Sequence, residues 1–253
     1  MAKVIAFANQ KGGVGKTTSA INISAAVGIL GKKVLLLDCD PQGNASSGCG
    51  IRRSQIGATT YDVLIGRAKA ADAIIKTGYK NLYVLPASMP LAAAEVELAE
   101  LDDRAVRLKN AIDEIKNDFD YIFIDCPPSL GMLTINALTA SDGVIVPMQA
   151  EYFALEGLSQ ILMTVKQVKR LYNPALSLTG IVVTMYNGRL NLSTQVLAEL
   201  KKHYADKLFR TPVARNVRLC EAPSYGMPIQ YYDKFAKGGA AYDEIAEELL
   251  DRI

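Results

Sequence analysis

The chain has 253 residues, half of them hydrophobic, and its 28 basic and 26 acidic side chains leave a formal charge of +2. That is enough apolar material for one large core, and so even a charge balance says nothing about a polyanionic partner unless the charges are unevenly placed. The four cysteines (Cys39, Cys49, Cys126, Cys220) form no C-x-x-C pair and His203 is the only histidine, which speaks against a zinc site, a disulfide framework and histidine-based catalysis.

In chain order, Lys3–Asn9 reads as a buried strand and Thr17–Leu30 as a helix of small residues. Lys33–Asp38 is a second strand and Leu82–Pro86 a short third. Leu91–Asn117 carries apolar residues at helical spacing with charge on the other face, which predicts one long helix. Strands follow at Tyr121–Asp125 and Gly143–Pro147, a helix at Gly157–Tyr172 stopped by Asn173 and Pro174, a strand at Leu178–Thr184, and helices at Ser193–Tyr204 and Gly239–Ile253. Continuous apolar strands such as VLLL and YIFI suit a sheet covered on both faces. The alternation predicts an α/β fold, a mostly parallel, doubly wound sheet flanked by helices. No repeat or low-complexity linker divides residues 1–253, so one domain is expected. The start MAKVIAFANQ lacks the features of a secretory signal. No apolar run approaches the roughly 18 residues of a membrane span, and the expectation is a cytoplasmic chain.

The segment Lys11-Gly12-Gly13-Val14-Gly15-Lys16-Thr17-Thr18 follows a strand and opens a helix, the setting of a phosphate-binding loop. Glycines there let backbone N–H groups converge on phosphate oxygens, and the helix adds the positive end of its dipole. Lys16 is placed to reach β- and γ-phosphates, and the Thr17 hydroxyl to ligate Mg²⁺. Gln10 occupies the first glycine position of the ordinary phosphate-loop pattern, so the segment matches the deviant form K-G-G-x-G-K-T-T. Asp38 and Asp40 lie at the C-terminal end of a strand, where ligands of open α/β sheets bind. Asp125 ends the YIFI strand, a Walker B arrangement that delivers a carboxylate towards Mg²⁺. A lone aspartate after a strand is ordinarily a turn residue; three of them with a phosphate loop upstream are better explained together.

KGGVGKTT, DCDPQGN, IDCPPSLG and RNVRLCEAPSYGMPI together resemble the ParA/MinD group of deviant-Walker ATPases, and most closely its Soj/ParA branch, over nearly the whole chain. The resemblance implies slow hydrolysis of ATP sandwiched with Mg²⁺ between two subunits of a homodimer, with Lys11 of each reaching the other's nucleotide. It implies that Gly12, Gly13, Val14, Gly15, Lys16, Thr17 and Thr18 hold the phosphates and that Asp40 positions the attacking water. Asp38 would stand near the Mg²⁺ shell with Thr17 and Asp125. Gly12 would lie where the subunits approach closely. Segments matching Thr184–Met185 and Pro212–Asn216 line the adenine pocket in relatives, which implicates Met185, Pro212 and Asn216.

Between Asn187 and Lys237 nine basic residues face four acidic ones, the uneven charge that phosphate-backbone binding leaves, although a solvated basic face reads the same way. The resemblance implies that Arg189 and Arg218 bind double-stranded DNA without sequence preference. It also implies a ParB-like activator, association with the nucleoid in the ATP state, and a role in chromosome or plasmid partitioning, extending to replication initiation or sporulation. Three alternatives stand beside it. A MinD-like membrane-cycling regulator would need a basic terminal helix, whereas YDEIAEELLDRI is acidic on its polar face. A DNA-binding protein with a merely structural nucleotide would lack turnover. A metabolic synthase on the same loop would need a substrate-binding insertion, and none is visible.

Overall fold

The computed structural model describes all 253 residues. The chain runs β1 (Lys3–Phe7), α1 (Lys16–Ile29), β2 (Val34–Asp38), α2 (Asn44–Gly48), α3 (Thr60–Leu64), α4 (Ala70–Ala73), β3 (Ile75–Lys76), β4 (Leu82–Leu85), α5 (Leu91–Ala99), α6 (Arg107–Ile115) and β5 (Tyr121–Asp125). It continues with α7 (Met132–Ala140), β6 (Gly143–Gln149), α8 (Ala154–Leu171), β7 (Ser177–Thr184), α9 (Asn191–Tyr204), α10 (Val217–Glu221), α11 (Ile229–Tyr232) and α12 (Lys237–Arg252). The strands form one seven-stranded sheet in the order β3-β4-β2-β5-β1-β6-β7. Every pairing is parallel except that of β3, an edge strand of two residues antiparallel to β4. All six strands expected from sequence are present, and only this edge strand was not expected, its two residues being too few to show a period.

Alternate residues of each strand feed two cores. Val4, Ala6, Leu35, Leu37, Ile122 and Ile124 pack on one face under α5 to α9. Ile5, Phe7, Leu36, Phe123, Ile145 and Val182 pack on the other under α1 and α12. This two-sided burial is why the central strands are apolar throughout rather than alternating. α1 lies in the second core with Ser19 bonded to the fully buried Tyr242 of α12 at 3.1 Å.

β1, β2 and β5 end abreast: Phe7, Asp125 and Asp38 are register neighbours across the three strands. This common edge carries the phosphate loop and the aspartates, because β1 leads directly into the loop and β2 and β5 terminate in carboxylates.

The long helix expected over Leu91–Asn117 is two helices, broken at residues 100–106. The break is held from outside the segment. Buried Asn136 of α7 accepts from Leu108 N–H at 3.1 Å and donates to the Arg104 carbonyl at 2.6 Å. The Arg104 guanidinium in turn donates to the Ala99 carbonyl at 2.8 Å. Leu108 N–H and the Ala99 carbonyl, two of the end groups that a helix break orphans, are thereby satisfied. Asn136→Ala is expected to lower stability by roughly 2–4 kcal/mol, the cost of stranding a buried N–H and a carbonyl. Urea unfolding monitored by circular dichroism measures it; a loss below about 0.5 kcal/mol would mean that another group holds the break.

Candidate functional site

The phosphate loop is braced by hydrogen bonds from the chain itself. Asn9 Nδ2 donates to the Pro147 carbonyl at 2.9 Å, and Asn9 Oδ1 accepts from Lys11 N–H at 3.0 Å. Gln149 Nε2 reaches the Gly13 carbonyl at 3.2 Å, and Thr184 Oγ1 donates to the Val14 carbonyl at 2.7 Å. The braces therefore come from the ends of β6 and β7. Gly13 and Gly15 take positive φ, 72° and 81°, a turn that leaves N–H groups facing inward and that a Cβ would strain. Gly15 caps α1, which has no side chain over its N-terminus, so the helix presents its free N–H groups to the loop.

Lys16 is nearly buried, and its Nζ rests on the Lys11 carbonyl at 3.1 Å. Burial lowers its pKa, and the charges of Asp125 and Asp40 oppose that fall. Asp38 is fully buried but well partnered. Its Oδ1 accepts from Asp40 N–H at 3.1 Å, and its Oδ2 from Ser46 N–H at 2.8 Å and Ser46 Oγ at 2.7 Å. Burial still pushes its pKa up to about 6. Asp40, also buried, accepts from Gln42 N–H at 2.9 Å through Oδ1.

Asp125 differs from both. It is fully buried, and neither of its oxygens has a hydrogen-bond partner of ordinary geometry. Burial, then the charge of Asp38, raises its pKa well above the usual carboxylate range; Thr17 and Lys16 offset only part of this. No group of three or more metal-type side chains is assembled anywhere in the molecule, so the chain offers no all-protein cage. An unpartnered carboxylate next to Thr17 and a phosphate loop fits a Mg²⁺ ion that keeps most of its water and takes further ligands from phosphate.

Beside the loop lies a cavity of about 280 Å³ whose walls include Gly15, Thr18, Met185, Asn216, Leu219 and Tyr242. Its size and largely apolar lining suit a nucleoside base. Met185 holds a positive φ of 49°, a strained conformation that costs about 1–3 kcal/mol and clusters at ligand clamps. Asn216 also caps α10, accepting from Arg218 N–H at 2.8 Å. Pro212 is outside this lining, which draws on Val213 to Asn216 instead: Val213 N–H bonds to Val183 O at 2.8 Å and so carries the following residues along the end of β7.

Lys11 stands at the exposed mouth of the loop, paired with Glu151 of the same chain at 2.6 Å. Arg189 lines an adjoining groove of about 840 Å³ with Glu151 and Arg215, which shares Met185, Ala214 and Arg215 with the cavity beside the loop. Arg218 is not in that groove; it is held by Glu221 at 2.9 Å and Asp233 at 3.6 Å. Arg210 and Lys207 are likewise paired, with Glu248 and Asp206. The net positive stretch in sequence is therefore partly neutralised in space, by acids both inside and outside it.

Asn9, Gln149, Ser46 and Glu151 were not foreseen from sequence. The first two sit at strand C-termini, so the rule that ligands of parallel sheets bind at that edge would have found them. No sequence signal marks Ser46 or Glu151.

A buried carboxylate with a raised pKa favours the folded state while protonated, and that contribution is lost as pH rises through the folded-state value. Asp125→Asn is accordingly expected to be more stable than the wild type in EDTA, with an advantage that grows from about pH 5 to pH 8. Urea titrations across that range measure the gap. An advantage that shrinks with rising pH would contradict the raised Asp125 pKa.

Residues 2–178 match the family model described as "AAA domain". The chain is 51% identical over 249 residues, covering 98% of both chains, to the sporulation initiation inhibitor protein Soj of Bacillus subtilis. It is 48% identical over 252 residues, 99% of this chain and 94% of the other, to the chromosome partitioning protein ParA of Caulobacter vibrioides. Among solved structures it superposes on a cobyrinic acid a,c-diamide synthase of Mycobacterium smegmatis with bound ADP and magnesium, with TM-score 0.86 at 38% identity over 99% of this chain and 94% of that one. Full-length identity to Soj and ParA, on a parallel sheet with a phosphate loop at its edge, places the chain in the Soj/ParA family of chromosome-partitioning P-loop ATPases.

Proposed function

We propose that this chain is an ATP-dependent dimerising switch that grips DNA without sequence preference and serves chromosome or plasmid partitioning. ATP binds with its base in the cavity beside Met185 and Asn216 and its phosphates in the loop Gly12–Thr18. Lys16 leaves the Lys11 carbonyl for the β- and γ-phosphates. Thr17 and Asp125 would hold the Mg²⁺ shell, with Asp38 close to it, and the ion would neutralise phosphate charge. Asp40 orients the attacking water, and loss of the γ-phosphate releases the dimer.

The observation that carries the reading is the position of Lys11 and Gly12. Gly12 is exposed and Lys11 is partly exposed and paired with Glu151, and the two residues that follow Glu151 in the chain, Tyr152 and Phe153, are exposed aromatics. A second copy closing over this face brings its Lys11 to the phosphates, as an arginine finger would come. A Cβ on Gly12 would meet nothing nearer than Pro128 Cβ at 3.9 Å. The single chain has room for a Cβ there, which leaves a neighbouring copy as the proposed source of a penalty.

Arg189 and Arg218 are the proposed DNA contacts, with phosphates replacing Glu221 and Asp233 around Arg218. Turnover is slow in the isolated protein and rises with a ParB-like activator. The chain works as one unit in the cytoplasm, on the nucleoid when ATP-bound, and a role in replication initiation or sporulation accompanies partitioning. A membrane partner is not proposed. No helix is long and apolar enough to cross a membrane, and the last turns of α12 carry Asp243, Glu244, Glu247 and Asp251 outward, which an anionic surface repels.

Light scattering with ATP and with ADP tests the switch. The wild type is expected to dimerise with ATP only. Gly12→Val is expected to bind nucleotide with wild-type affinity and stay monomeric, and an ATP-induced dimer of that variant would remove close approach at Gly12. Arg189→Glu is expected to weaken the ATP form's binding to unrelated duplexes equally and to flatten its salt dependence. An effect confined to one duplex would point to base readout.

A further inference from the structure

We propose that Ser46 is a positioning residue for Mg²⁺–nucleotide binding, acting through Asp38; this rests on the reading that Asp38 stands at the Mg²⁺ shell.

Ser46 lies in the first turn of α2 and is 3% exposed. It gives Asp38 Oδ2 two hydrogen bonds, from its backbone N–H at 2.8 Å and from its hydroxyl at 2.7 Å. The same hydroxyl oxygen accepts from Ala87 N–H at 3.1 Å. It is therefore a two-way relay, with its proton committed to the carboxylate and a lone pair to the backbone just after β4. Both donors sit on Oδ2. Oδ1 has only the N–H of Asp40, at 3.1 Å, and is the oxygen with capacity left for an outside donor.

This asymmetry fixes the carboxylate plane. Asp38 and Asp125 end adjacent parallel strands in register, and neither Asp125 oxygen has a hydrogen-bond partner of ordinary geometry. With Oδ2 anchored to α2, Asp38 presents Oδ1 to its surroundings instead of turning freely beside its neighbour. A water in an ion's first shell is the kind of donor that Oδ1 would accept, and hydroxyl partners of such carboxylates govern metal affinity by orienting them. Thr60 provides the internal contrast. Its Oγ1 lies 2.7 Å from the Asp38 main-chain carbonyl and 3.2 Å from that of Pro86. It ties the same two segments together without touching the carboxylate.

The test measures binding rather than turnover. The affinity of a methylanthraniloyl-labelled ADP is followed by fluorescence, first in EDTA and then during titration with Mg²⁺, and thermal unfolding in EDTA confirms that each variant is folded. Ser46→Ala is expected to leave the EDTA affinity within about twofold and to raise the Mg²⁺ concentration for half-effect by about tenfold. Thr60→Val is expected to lower the unfolding midpoint and leave the Mg²⁺ requirement unchanged. Ser46→Cys, nearly the same shape but a weak donor, is expected to repeat the alanine result and stands in if alanine does not fold. Asp38→Asn is expected to raise the Mg²⁺ requirement. If Asp38→Asn raises it and the Ser46 variants do not, the positioning role is overturned. Equal shifts in Thr60→Val and Ser46→Ala would reduce Ser46 to scaffold and overturn it too. An unchanged requirement in Asp38→Asn would instead overturn the reading of Asp38 on which the role rests.

Discussion

The carboxylate of Asp125 is buried at the end of β5 with both oxygens unpartnered, and the arrangement of the site follows from it. Burying an unpaired charge is among the costliest things a fold can do, and here a second buried carboxylate, Asp38, ends the next strand in register. Lys16 and Thr17 ease the electrostatics without satisfying the oxygens. Such a group is tolerable in a chain whose working form carries a cation and a polyphosphate at the same edge. The parallel sheet makes this possible, since β1, β2 and β5 all finish at one level and deliver loop and carboxylates together.

Three of the cations assigned to phosphate in the proposed function are held within the chain. Lys16 rests on a carbonyl of its own loop, Lys11 on Glu151, and Arg218 on Glu221 and Asp233. The Lys11 and Arg218 pairs are solvent-exposed, and such pairs contribute about 0–1 kcal/mol. They are weak enough for a phosphate to displace and specific enough to keep the side chains near where they are needed. A switch built from such exchanges needs no large rearrangement of the core, and the two cores on either side of the sheet are closely packed.

Much of this was legible in the sequence because it is written locally. The apolar runs VLLL and YIFI announce strands covered on both faces, and the glycine loop between strand and helix announces phosphate. What was not legible depends on partners distant in the chain. The break between α5 and α6 is invisible in Leu91–Asn117 because its cause, Asn136, lies on α7. α7 itself, MLTINALTA, is apolar on almost every side and shows no amphipathic stripe. α2 and α3 are single turns whose ends are tied by Asp38 and Asp62, too short for any period. The charge count over Asn187–Lys237 could not show which cations are paired: Glu248, outside the stretch, lies 3.8 Å from Arg210 and is shared with Arg252, also outside it. Pro212 was one residue short of the cavity wall.

The central claim is that Asp125 is completed by a hydrated cation bound with the nucleotide. The most direct test is a crystal structure of the complex with Mg²⁺ and ADP at a resolution that shows ordered water. The account predicts an ion ligated by Thr17 Oγ1 and phosphate, with Asp125 accepting from its water ligands or binding it directly. An ion held by phosphate alone, with both Asp125 oxygens still unpartnered, would contradict it.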